Sequence, residues 1–274
     1  MKSSSRDLDE KTRLDRSMGV ACTALALGIL LNTAIGMVWF SQGWRPLLVY
    51  LLLVETVSFL LPAWVYFWRF PHDRSVFVWH GDYGKILLCF LCGAAVDVAV
   101  SILSAWMEMW IPPPEKVLEG HLYMAELLSA DTPLRWTAVL LLGAFFVGFC
   151  EETLFRGAAL TSFARRMNPS HANGLMAALF AIIHMDPWTI PGIFLLGLLF
   201  GKVRLRFRTL WTAVAAHAGA NAAGIILMNS NLDMLVWGGP LFVSSGLVFA
   251  CLWKRLFQDE NRWEAETDSP VDLG

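Results

Sequence analysis

The feature that most limits what this chain can fold into is a series of apolar runs, each about as long as a membrane's hydrocarbon layer is thick. A helix rises 1.5 Å per residue and needs about 20 apolar residues to cross a bilayer. By that rule the sequence offers eight segments: 18–40, 47–68, 84–107, 135–163, 171–186, 189–203, 209–228 and 235–253. The fifth and sixth are short, with Pro187 and Pro191 at their junction, which suits a tilted or re-entrant hairpin. Composition agrees: 56% of the 274 residues are hydrophobic and only 16% charged, against about 25% charged in soluble domains. The expected fold class is therefore all-α, a polytopic membrane helical bundle of about eight transmembrane helices. Nucleic-acid binding and soluble enzymology are excluded. The chain divides into a polar tail (1–17), a membrane domain (18–257) and a second polar tail (258–274), both tails expected to be mobile.

The distribution of charge orients the bundle. With alternating spans, 17 of the 21 Lys and Arg residues fall on the side of the N-terminus, and only Arg45, Lys116 and Arg135 fall opposite. Basic loops stay in the cytoplasm, so both chain ends are expected there, in a multi-pass protein of a bacterial inner membrane. The first run is too long for a signal-peptide core and reads as a retained helix. The one long connection, 108–134, holds Pro112, Pro113 and Pro114, then acidic and apolar positions at helical spacing. It reads as a lid or platform along the outer interface. Cys22, Cys89, Cys92, Cys150 and Cys251 all lie in apolar stretches and read as packing residues rather than a metal site.

Ionisable residues within a bilayer are costly and mark function or an internal partner. The spans contain Glu55, Asp97, Glu151, Glu152, Arg156, His184 and His217, with Asn32 and Asn221 as polar company. Glu152 and Arg156 are four apart and stack on one helical face as an ion pair, which leaves Glu151, about 100° away, to point elsewhere. Phe180 and His184 share a face, as do His217 and Asn221. Each group alone suits helix packing; together they suit chemistry. A carboxylate beside an imidazole can deprotonate water, and a second His with an Asn can donate to a developing oxyanion. Glu151, His184 and His217 can instead hold Zn²⁺ with an open position. The residues alone leave both chemistries open.

Glu-Glu-x-x-x-Arg at 151–156, Phe-x-x-x-His at 180–184 and His-x-x-x-Asn at 217–221 follow one another on successive apolar segments. In this order they resemble the CPBP family of intramembrane proteases, which includes the type II CAAX prenyl endopeptidases and the bacterial Abi proteins. The resembling core spans about 135–230. The resemblance implies an endopeptidase that cleaves a lipid-anchored or membrane-spanning protein or peptide by activated water. It implies Glu151 as general base and His184 as holder of the water or of a metal. His217 and Asn221 would form the oxyanion site, with Glu152 and Arg156 in support. Members of the family are often described as metalloproteases, so zinc remains a candidate cofactor. The alternatives are a non-catalytic scaffold or immunity protein of the same fold, and an ion or proton carrier that relays through Glu55, Asp97, Glu151 and the two histidines. Glu55 and Asp97 have no assigned role.

Overall fold

The computed structural model describes residues 2–41, 47–79, 83–230 and 232–258. Among the described residues there is no strand, and nine helices follow one another. They are α1 (Lys2–Ser41), α2 (Leu47–Glu55, continued through Thr56–Leu60 and Leu61–Arg69), α3 (Tyr83–Trp110), α4 (Glu115–Leu128), α5 (Pro133–Ala164), α6 (Pro169–Ile182), α7 (Ile190–Phe207), α8 (Leu210–Met228) and α9 (Met234–Phe257). The all-α membrane bundle stands.

Against the eight crossings expected, six helices among the described residues are long and apolar enough to span: Lys11–Val38, Leu51–Arg69, Tyr83–Trp110, Pro133–Ala164, Leu210–Met228 and Val236–Phe257. Helix α6 has 14 residues, about 21 Å at the helical rise, and α7 carries Lys202, Arg204 and Arg206 in its last turns. These two pack antiparallel as a short hairpin inside the bundle.

Contacts sort the helix ends into two sets. At one end Arg166, just after α5, donates to the Lys11 carbonyl and pairs with Asp15 of α1. There too Arg165 bonds Asp73 of the α2–α3 link at 2.8 Å, and Lys202 of α7 lies over the Phe257 ring of α9. At the other end Asn229 bonds the Leu128 carbonyl of α4, and Trp106 of α3 meets Phe242 of α9. The start of α1 and the close of α9 thus share the basic end. The polar stretch expected to be a mobile tail is, over residues 2–17, the first part of α1, and its Asp15 is paired with Arg166 of the α5–α6 link. From residue 259 onward the second tail lies outside the described residues.

Helix α8 forms the axis, buried along most of Leu210–Ala223. Its alanine-rich run lets neighbouring backbones come close. The tightest crossing is with α3, where a Cβ on Gly219 would collide with the Phe90 carbonyl and one on Gly93 with the Ala216 carbonyl. Gly219→Leu is therefore expected to destabilise the bundle by about 1–3 kcal/mol or more, read as a lowered melting temperature in detergent. An unchanged melt would mean that the two helices do not cross at this residue.

Candidate active site

Helix α5 is wound irregularly where it bears its charges. Leu140–Phe146 and Thr153–Ala159 are π-helical, and the regular turn between them carries Glu151 and Glu152. Such wide turns recur at functional sites because they re-aim side chains. A third, Thr56–Leu60, lies on α2 just after Glu55.

Glu152 is wholly buried and its Oε1 accepts two hydrogen bonds, from Arg156 Nη1 at 2.8 Å and from His217 Nδ1 at 2.9 Å. The pair expected from the i,i+4 spacing is formed. Arg156, also wholly buried, donates through Nη2 to the Gly197 carbonyl at 2.9 Å. Its guanidinium lies 4.6 Å from the Phe180 ring centre, 5.4 Å from Phe200 and 5.8 Å from Phe155. Aromatic faces attract a cation, so this charge is neutralised on one side and caged on the others.

This scaffold fixes His217. A carboxylate oxygen only accepts, so Nδ1 carries a proton and donates to Glu152. The imidazole stacks on Phe200 at 4.7 Å and 14°, with the edge of Phe180 at 5.6 Å. Its other nitrogen, Nε2, points at Glu151 Oε2, 3.5 Å away. That separation is longer than a direct hydrogen bond, and it faces two proton-accepting atoms with room for a hydrogen supplied by a third group.

His184 stands beyond the end of α6 in an exposed turn, next to Met185, whose φ of 52° is left-handed. Its Nδ1 donates to the Phe180 carbonyl at 2.8 Å, which leaves Nε2 as a free acceptor. The ring meets Phe180 edge-on at 5.1 Å, as the shared face predicts, and lies within electrostatic reach of Glu151. Glu151 nevertheless stands closer to His217 than the motif order suggests. Asn221 uses one of its two amide hydrogens on the Gly143 carbonyl at 3.0 Å, inside the π-helical part of α5. Wide turns leave carbonyls short of partners, and this amide satisfies one of them. Asn221→Ala is expected to cost about 1–3 kcal/mol through that orphaned carbonyl, checked by thermal melting; an undisturbed melt would free the amide for another role.

Several neighbours had no signal in the sequence. Phe200 and the Gly197 carbonyl belong to an ordinary-looking apolar helix. Glu55 stood out but without a partner. It is buried, its Oε2 has no hydrogen-bond partner among the described residues, and it interacts electrostatically with Glu151. Asp97 accepts from Ser101 at 3.4 Å and acts in the same way on His217. The buried Cys89, Cys92 and Cys150 pack in the core as expected.

Residues 133–223 match the family described as type II CAAX prenyl endopeptidase Rce1-like. That segment belongs to this family. It takes in all three motif groups, and no curated protein and no solved structure matches the chain. The Rce1-like segment is thus that of a CAAX-protease-like intramembrane endopeptidase, set in an integral membrane protein. Zinc was tested against its donors. Among the described residues no three His, Cys, Asp or Glu side chains stand close enough together to hold a metal ion. Glu151, His184 and His217 as placed do not make a zinc set.

Proposed function

We propose that the protein is an intramembrane endopeptidase in which Glu151 activates water against a peptide bond of a lipid-anchored or membrane-spanning substrate. The observation that carries the reading is the aim of His217, whose Nε2 faces Glu151 Oε2 at 3.5 Å while Nδ1 is held by the Glu152–Arg156 scaffold. A water that donates a hydrogen towards Glu151 fills the mismatch between the two acceptors, and Glu151 takes its proton as the oxygen attacks the carbonyl carbon. His184, its Nε2 free, is placed to hold the same water. Glu151 passes the proton it took to His217 Nε2; the Glu152 carboxylate stabilises the imidazolium, whose Nε2–H donates to the oxyanion and then gives the proton to the leaving amine, so that one proton travels from water to amine. Asn221 supports this indirectly, by holding the α5 backbone at Gly143.

The basic end faces the cytoplasm by the positive-inside rule, which sets the first part of α1 and the close of α9 on that side. His217 lies seven residues into α8 from Leu210, about 10 Å from that end at the helical rise. The site then lies within the membrane, at a depth suited to a bond close to the inner-leaflet surface.

The test compares peptide termini in host membranes carrying the wild-type chain or Glu151→Gln at matched abundance. Termini that vanish in the variant are the expected result and name the substrate. Identical termini, with the deletion phenotype rescued by the variant, would replace the protease with a scaffold.

A further inference from the structure

Arg204 is the second buried arginine of the bundle, and unlike Arg156 it has no acid. It is 7% exposed, and its one hydrogen bond runs from Nη2 to Thr161 Oγ1 at 3.3 Å. Its Nε is buried without a partner. The nearest charge is of the same sign: Arg165 lies close enough to repel it. Of the acids described near this end, Asp73 is committed to Arg165 and Tyr66 and Asp15 to Arg166; Glu152, deeper in the bundle, is held by Arg156 and His217.

The backbone adds to the imbalance. Asn173 of α6 donates to the Leu198 carbonyl of α7 at 3.0 Å and lies against Gly201. Because the two helices run antiparallel, the first turn of α6, capped by Asn168, lies towards the Arg204 end of α7. The first amide groups of a helix carry partial positive charge and lack acceptors within it. A buried cation, a like-charged neighbour and a helix start thus converge where α5 and α7 end.

A lone buried charge is expensive unless an opposite charge meets it. We infer that Arg204, with Arg165, Thr161 and the first turn of α6, forms a site for a phosphate group at the basic end of the bundle. The ligand class is a phosphate monoester or diester. Its source is either the headgroup of an anionic phospholipid, which reaches this depth at the membrane surface, or a soluble phosphate. The planar guanidinium offers its two Nη groups in the fork that phosphate oxygens fit.

The full-length protein in neutral phosphatidylcholine nanodiscs is titrated separately with short-chain phosphatidylglycerol and with inorganic phosphate, and its melting temperature is followed. The wild type is expected to be stabilised at saturation. Arg204→Gln is expected to need at least about tenfold more ligand, as for loss of a charge-assisted contact. Arg204→Lys should fall between them, since it keeps the charge but not the fork. A response to the lipid alone makes the ligand a headgroup; a response to both makes it phosphate as such. Equal stabilisation of Arg204→Gln and the wild type, or no response of the wild type to either probe, overturns the site. If Arg204→Gln does not fold, Thr161→Val with Arg204→Lys carries the comparison. All readouts are of binding, so they stand apart from the peptidase reading.

Discussion

Glu151→Gln is expected to lower turnover of a membrane-anchored peptide by about 10²–10⁴-fold, the range for losing a positioned general base, while leaving the fold and the melting temperature unchanged. The substitution keeps the shape of the side chain. Its amide group still faces His217 Nε2, which now meets a donor instead of a second acceptor. Nothing else bonds to the Glu151 carboxylate among the described residues, so no partner is stranded. The loss should fall on kcat, with KM little altered, because the group acts on water rather than on substrate binding. Single-turnover cleavage beside a thermal melt measures both. Turnover within a few-fold of wild type would remove Glu151 from the chemistry.

Glu152→Ala is expected to behave in the opposite way, costing about 3–5 kcal/mol of stability along with activity. Removing this carboxylate takes away the acceptor of both Arg156 and His217 and leaves a wholly buried guanidinium with one carbonyl and three aromatic faces. The double variant Glu152→Leu, Arg156→Met separates the two effects. Replacing both charges by apolar groups of similar size should recover most of the stability, since no charge is left unpaired, but not the activity, since His217 has lost what fixes its tautomer. If Glu152→Ala melts like the wild type, the pair is not what holds the helices together.

The sequence displayed this pair because i,i+4 spacing on a helix leaves little choice of direction. The same rule showed Phe180 beneath His184. It did not show that His217 would turn its free nitrogen to Glu151, because that depends on how α5 and α8 cross, and the crossing rests on glycine and alanine backbones with no signature of their own. Asn221 was legible as a polar residue in an apolar helix, but its partner was not. The partner is a carbonyl freed by a π-turn, and such turns follow from packing and not from residue type. The number of crossings was less legible: an apolar run does not show where its helix stops, and the run holding α6 gives a helix of only 14 residues.

The π-helical stretches of α5 bear on how the chain can change. Each wide turn holds one residue more than the regular helix would, and so shifts the phase of everything after it. Deleting one residue between 140 and 146 would restore an ordinary helix and improve its local hydrogen bonding. It would also rotate Glu151 and Glu152 by about 100°, away from α8 and His217. In this segment length is therefore held as tightly as residue identity: a shortened α5 is a better helix that has lost its site.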